Sequence, residues 1–191
     1  MNTLLKVIQL YKNEAQLIKK ASQNHREAQH MLYQLHASKM LSVCRYYIND
    51  VQQAEEVMLN GFFKVFTKIK HFKSEGSFEG WIRRIMAREA ISFLRQKKQL
   101  EFATDNMEVY DAQTNNIKME MDVAEIQQLI DNLPEGYRMV FVMYAIEGYK
   151  HNEIAALLNI TVGTSKSQLF KARKVLQQYL HILNTTSNGT N

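Results

Sequence analysis

The sequence contains one cysteine, one proline and seven glycines in 191 residues. A single cysteine, Cys44, excludes an internal disulfide and is typical of proteins from a reducing cytoplasm. Because proline and glycine are scarce, few positions in the sequence would interrupt a helix. Long runs with the alternating period of a β-strand, rich in valine, isoleucine and threonine, are missing. The sequence therefore predicts an all-α protein, in which Cys44 is a small buried thiol.

Long apolar runs are also missing. In residues 1–24, lysine and glutamate side chains interrupt the apolar residues at helical intervals. This pattern predicts an amphipathic helical extension that packs on the neighbouring domain or is partly frayed, and neither a signal peptide nor a membrane span. A helix that lies on a membrane surface is the alternative. We expect a cytoplasmic protein with no direct membrane insertion.

Residue patterns typical of enzymes are absent as well. The six histidines show no metal-ligand spacing, no second cysteine is present to complete a zinc site, and no glycine-rich phosphate loop occurs. We therefore expect no catalytic residues, no metal and no cofactor.

Charge is distributed unevenly, although the net charge is only +5. Residues 99–132 contain eight acidic residues and one basic residue, whereas the segments on both sides are basic. The distribution predicts two small helical domains joined by an acidic linker at 99–123. The alternative is an irregular acidic loop within a single domain.

Residues 147–176 have the pattern of a helix-turn-helix, two amphipathic helices joined by a short turn. Asn159 occupies the position where the first helix must end in a left-handed residue, and Thr161 is placed to cap the second helix. Ser165 and Leu169 fall on the buried side of that second helix.

The opposite side and the edges of the second helix combine cations with short hydrogen-bonding side chains. Such side chains contact DNA phosphates and base edges when a helix enters the major groove. The alternative is a solvated helix face. The candidate DNA-binding residues are Thr164, Lys166, Ser167, Gln168, Lys171, Arg173 and Lys174.

The stretch from Val51 predicts a long helix with one buried stripe. Leu59 and Phe63 depart from that stripe and lie beside Glu55, Glu56 and Asn60. This mixed apolar and acidic patch suits a partner protein, while packing against the N-terminal helices is an equal alternative.

A loop at 73–80 precedes another helix, on which Arg84, Arg88 and Arg95 share one side. A cationic stripe of this kind can follow the phosphates of a nucleic acid. Aromatic residues at the loop are able either to stack on unpaired bases or to anchor the helix, and for Trp81 we favour the core.

Two motifs in this order, SEGSFEGWIRRIMAREAISFLRQKK and LPEGYRMVFVMYAIEGYKHNEIAALLNITVGTSKSQLFKAR, resemble the sigma-70 family of bacterial RNA polymerase initiation factors. The resemblance is to its extracytoplasmic-function (ECF) class and covers residues 28–180. It implies a non-enzymatic sigma factor that binds core polymerase, recognises the −35 and −10 promoter elements and promotes transcription initiation.

By this resemblance, residues 25–98 correspond to region 2, which docks on the β′ clamp helices and opens the −10 element. The implied polymerase-binding residues are Gln53, Glu55, Glu56, Leu59, Asn60 and Phe63. The implied −10 contacts, including capture of a flipped base by the 73–80 loop, are Lys73, Ser77, Phe78, Trp81, Arg84, Arg88 and Arg95.

Residues 124–181 correspond to region 4, the −35 reader, which also contacts the polymerase β flap, and 182–191 form a polar tail. The implied partners are core RNA polymerase and promoter DNA, with an anti-sigma factor as a further candidate. The sequence departs from the family pattern at five positions: Asn60 for Gln, Arg88 for Asn, Ser92 for Asp, Lys150 for Ser, and Ser165 for an apolar residue.

An alternative use of the same helix-turn-helix is that of an ordinary transcription regulator, with residues 1–98 as a sensing or dimerisation domain. Such a regulator binds duplex DNA tightly without polymerase, whereas a sigma factor alone binds it weakly.

Overall fold

The computed structural model describes residues 14–97 and 123–187. The chain divides into two compact units between Phe93 and Leu94. Every regular element in the described ranges is helical, so the predicted all-α fold with two helical units is confirmed. Three parts of the predictions lie outside the described residues, namely the start of the N-terminal extension (1–13), the acidic linker up to residue 122, and residues 188–191.

Among the described residues, four α-helices and a short 3-10 turn lie in the first part of the chain, which here extends four residues past the boundary between the units. These are α1 (residues 14–21), α2 (Arg26–Tyr47), α3 (Val51–Lys68), the 3-10 turn (Ile69–His71) and α4 (Phe78–Lys97). Side chains cap three of the helices by accepting a backbone N–H bond from the first turn. The capping residues are His25 for α2, Asp50 for α3 and Ser77 for α4.

Apolar side chains from α2, α3 and α4 form the core of the first unit. Among those buried are Leu32, Met40, Tyr47, Ala54, Met58, Phe62, Ile82 and Met86. Gly61 permits the close approach of its helix to Met86, because a Cβ at this position would lie 2.2 Å from the Met86 sulfur. Glu14 and His36 join α1 to α2 through a contact of 2.8 Å between Oε1 and Nε2.

Cys44 is a buried free thiol, as predicted. Burial, and secondarily the negative charge of Glu89, raises the pKa of Cys44 to about 12. The thiolate is the reactive form of cysteine, so this residue is chemically inert at neutral pH.

The second unit consists of α5 (Val123–Asp131), α6 (Glu135–Phe141), one π-helical turn (Val142–Ile146), α7 (His151–Leu158) and α8 (Val162–Ser187). Pro134 immediately precedes α6, where its missing N–H costs nothing. Gly148 ends the π-helical turn region with a φ of +74°, a conformation that glycine adopts without strain.

Helices α5, α6 and α7 all pack against α8. The buried side chains at these contacts include Ile130, Leu133, Met139, Met143, Ile154, Leu158, Leu169 and Ala172. This packing fixes the orientation of α8 and determines which of its side chains remain accessible.

Candidate nucleic-acid interface

The turn between α7 and α8 has the geometry that the sequence predicts. Asn159 is left-handed, with φ 56° and ψ 47°, and it ends α7. Thr161 Oγ1 accepts a hydrogen bond of 2.9 Å from the Thr164 N–H and therefore caps α8. The helix-turn-helix is present, and its turn is defined by local hydrogen bonds as well as by packing.

The start of α7 retains half of a capping box. The Lys150 N–H donates a hydrogen bond of 2.7 Å to Glu153 Oε2. In the family pattern a serine occupies the position of Lys150. A lysine side chain cannot accept a bond from the Glu153 N–H, but Asn152 Oδ1 accepts it at 3.0 Å. Two N–H groups at the start of α7, those of Lys150 and Glu153, therefore have partners without a serine cap.

Ser165 is fully buried on α8, as predicted, and it has a polar partner that the sequence analysis did not identify. Its Oγ lies 2.8 Å from Nδ1 of His151, at the first position of α7. Burial lowers the pKa of His151, and the neighbouring cations Lys166 and Arg173 lower it further. The neutral imidazole is therefore the stable form beside these two cations.

The outer side of α8 presents most of the predicted DNA-binding residues. Lys166, Arg173 and Lys174 are exposed, whereas three others are partly exposed, namely Thr164, Ser167 and Lys171. The arrangement places cations around two hydroxyl-bearing side chains, as direct contact with phosphates and base edges requires.

Gln168 differs from the prediction. It was expected at the exposed edge of α8, but its side chain is only 1% exposed and its Oε1 has no hydrogen-bond partner among the described residues. At about 100° per residue, Gln168 lies roughly 60° from the buried Ser165. Because α6 as well as α7 covers α8, the buried face is wide enough to include it.

In the first unit, the 73–80 loop is shorter than predicted. Helix α4 begins at Phe78, because Ser77 Oγ accepts a 3.0 Å hydrogen bond from the Gly80 N–H and caps the helix. Lys73 and Ser77 are exposed, and Gly76 has a φ of +129° that suits only glycine.

Phe78 is only 4% exposed, which contradicts its placement as a surface contact for DNA. Its ring packs on Phe72 and Trp81, with centroid distances of 5.3 and 5.7 Å, and edge-on against His36 at 5.6 Å. Trp81 is partly buried in the same cluster. These aromatic rings anchor the start of α4, which is the second of the two roles considered for them.

The cationic stripe on α4 is accessible. Arg84, Arg88 and Arg95 are all exposed, and their spacing of four and seven residues places them on one side of the helix. Up to Phe93, α4 also supplies core residues such as Ile82 and Met86, so Arg84 and Arg88 have a fixed direction relative to the first unit; Arg95 lies beyond the boundary between the units.

The mixed apolar and acidic patch on α3 is also accessible. Phe63 is 71% exposed and Leu59 is 54% exposed. Glu55, Glu56 and Asn60 are exposed beside them, while Gln53 is partly buried. The alternative, that Leu59 and Phe63 pack against the N-terminal helices, does not hold for the described helices of this unit.

Neither a cluster of potential metal ligands nor a helix long and apolar enough to cross a membrane occurs within residues 14–97 and 123–187.

Comparison with protein families gives matches to both units. Residues 32–99 match the family described as sigma-70 region 2, and residues 124–176 match sigma-70 region 4. The two matches have the order predicted from the sequence motifs and together cover more than half of the chain.

Similar curated proteins match along most of their length. The RNA polymerase sigma-H factor of Pseudomonas aeruginosa is 24% identical over 183 residues, which cover 89% of this chain and 95% of that protein. The ECF RNA polymerase sigma factor SigW of Bacillus subtilis is 27% identical over 179 residues, covering 87% and 96%.

Among solved structures, the sigma factor RpoE of Bartonella quintana, in complex with the anti-sigma factor NepR, has a TM-score of 0.51 at 18% identity. The alignment covers 80% of this chain and 96% of that chain. At 18% identity, this similarity shows a shared fold alone.

Proposed function

The chain belongs to the sigma-70 family of RNA polymerase sigma factors, in its ECF class, and on that premise we propose how its two units divide promoter recognition. The protein is a sigma factor that acts in promoter recognition and transcription initiation. Sigma factors are not enzymes; the nucleotide chemistry belongs to the polymerase. The residue assignments and domain boundaries below are proposals.

The second unit reads the −35 element with α8. The observation that carries this assignment is the exposed cationic side of α8 next to a well-formed helix-turn-helix turn. Lys166, Arg173 and Lys174 contact phosphates, and Thr164 and Ser167 approach base edges in the major groove. Gln168 is excluded from direct contact because it is buried.

The first unit holds the opened −10 strand on α4. Its exposed arginines, Arg84, Arg88 and Arg95, are spaced to follow successive phosphates. Lys73 and Ser77 lie in the loop that receives a flipped base, and the buried Phe78 follows this loop directly and packs on Phe72 and Trp81. Base flipping costs a few kcal/mol, which contacts with the loop must offset.

The exposed patch on α3 docks on the β′ clamp helices of core polymerase. Phe63 and Leu59 supply apolar anchors, and the acidic side chains beside them favour a basic partner surface. By family resemblance the second unit contacts the β flap.

The acidic linker at 99–123 occupies the RNA-exit path of the polymerase, where its carboxylates repeat the charge of a nucleic acid chain. A cytoplasmic location follows from the partnership with polymerase. An anti-sigma factor is a further partner, because a fold relative has been solved in complex with one.

Reconstitution with core polymerase tests this function. The holoenzyme should bind a subset of genomic fragments and form open complexes on them, while the protein alone should bind the same duplexes weakly. Tight duplex binding without polymerase, combined with no promoter opening on any fragment, would favour the ordinary regulator instead.

A further inference from the structure

Three side chains from different elements of the second unit form a stack beside the helix-turn-helix. Tyr144 lies in the π-helical turn, and its ring stacks on His151 of α7 with a centroid distance of 4.6 Å and an interplanar angle of 24°. The guanidinium carbon of Arg173 on α8 lies 5.8 Å from the centroid of the same tyrosine ring.

We propose that Tyr144 and His151 are positioning residues that fix the direction of Arg173 for contact with a promoter phosphate. The proposal rests on the proposed role of α8 in reading the −35 element. It adds two residues that lie outside α8 and that the sequence analysis did not single out.

The stack restricts Arg173 without using its hydrogen-bonding capacity. At 5.8 Å the guanidinium carbon is within range of a cation–π interaction, in which the ring face attracts the positive charge and accepts no conventional hydrogen bond from the N–H donors. Arg173 is exposed, so these donors are accessible to a phosphate. Holding the side chain before DNA arrives reduces the rotamer entropy lost on binding.

His151 in turn fixes the tyrosine ring. Its Nδ1 bonds to the fully buried Ser165 Oγ at 2.8 Å, which determines the orientation of the imidazole plane. The groups around this imidazole are Tyr144 from the π-helical turn and Ser165, Lys166 and Arg173 from α8. A neutral imidazole, which burial and the two cations favour, adds no repulsion to the guanidinium group.

The test is the salt dependence of promoter binding by holoenzyme reconstituted with the full-length protein. A duplex that carries the −35 element is titrated over a series of salt concentrations. Replacing Arg173 by alanine should reduce the slope of log K against log salt by about 0.9, the value for one lost phosphate contact.

The informative pair of variants is Tyr144→Leu and Tyr144→Phe. The leucine removes the aromatic face and should reproduce the lower slope, with binding weakened about two- to fivefold, as expected for one cation–π interaction. The phenylalanine keeps the stack and should behave as the wild type. In the double variant, Tyr144→Leu should add nothing to Arg173→Ala, because the tyrosine acts through the arginine.

An unchanged slope for Tyr144→Leu alongside a reduced slope for Arg173→Ala would overturn the positioning role, as would additive losses in the double variant. An unchanged slope for Arg173→Ala would instead refute the phosphate contact itself. Should Tyr144→Leu fail to fold by circular dichroism, His151→Ala opens the same stack from α7. It should reduce the slope equally, and a wild-type slope there would also overturn the proposal.

Discussion

Truncation of the exposed apolar pair on α3 should separate polymerase binding from folding. Phe63 is 71% exposed and Leu59 is 54% exposed, so each side chain contributes to the core with less than half of its surface. Full burial of such a side chain is worth about 1.5–3 kcal/mol. Phe63→Ala should therefore destabilise the protein by less than about 1 kcal/mol, as measured by denaturant unfolding.

The effect on polymerase binding should be much larger. A side chain that becomes fully buried at the centre of an interface typically contributes about 2 kcal/mol or more, which corresponds to a roughly 30-fold weaker Kd. The assay is equilibrium binding of labelled full-length protein to core polymerase, with Phe63→Ala and Leu59→Ala tested separately. We expect each variant to retain wild-type helicity.

The matched control is on α2, where Met31 and Leu35 are 49% and 48% exposed and lie outside the proposed patch. Met31→Ala and Leu35→Ala remove comparable apolar surface and should leave polymerase affinity within about twofold. Equal losses in both pairs, or full affinity in the α3 variants, would refute the clamp-helix assignment.

Three further predictions concern stability. Gly61→Ala brings a Cβ within 2.2 Å of the Met86 sulfur and should lower the free energy of unfolding by about 1–3 kcal/mol. The control Gly163→Ala places its Cβ at an ordinary distance of 3.5 Å from Thr161 Oγ1. Equal melting temperatures for the two variants would contradict this prediction. Lys150→Ser restores a side-chain cap at α7 and should stabilise the second unit by up to about 1 kcal/mol in thermal unfolding, so a lower melting temperature would count against it. Burial raises the pKa of Cys44 from 9.0 to about 12, so above pH 9 the unfolded state loses this proton first. Between pH 9 and pH 12, the free energy of unfolding of the wild type should therefore fall by up to about 1.4 kcal/mol per pH unit relative to that of Cys44→Ala. If the unfolding free energies of the two proteins changed in parallel with pH, the raised pKa of Cys44 would be refuted.

Local signals in the sequence were sufficient to predict the helix-turn-helix. Asn159 and Thr161 each determine local backbone geometry through their own side chains, and both have the expected conformations. The apolar periodicity of α3 likewise separates its buried stripe from the exposed Leu59 and Phe63. These features depend on residues close together in the chain.

Two predictions were wrong, one because of tertiary packing at Gln168 and one because of a local helix cap at Ser77. Gln168 is polar and lies at the border of the apolar stripe, so its burial depends on how the other helices of the second unit pack on α8. Phe78 was assigned to a loop because two glycines surround it, but the Ser77 cap extends α4 to include it. Periodicity on one helix does not determine how wide its buried face is.

The contacts of Tyr144 cannot be predicted from the periodicity of the sequence. Its contacts with His151 and Arg173 join residues from three elements, and no sequence spacing indicates that they meet. The pairing of Ser165 with His151 is similar, because a serine at a buried position gives no indication of its partner.

Footprinting of holoenzyme on a promoter tests most directly whether the two units act on successive promoter elements. Lys166→Ala combined with Lys174→Ala should reduce nuclease protection at −35, yet leave the permanganate reactivity of −10 thymines unchanged per bound complex. Arg84→Ala combined with Arg88→Ala should preserve protection at −35 and abolish most of that reactivity. Equal changes of both signals in both variants, or no change in either, would contradict the division of promoter recognition between the two units.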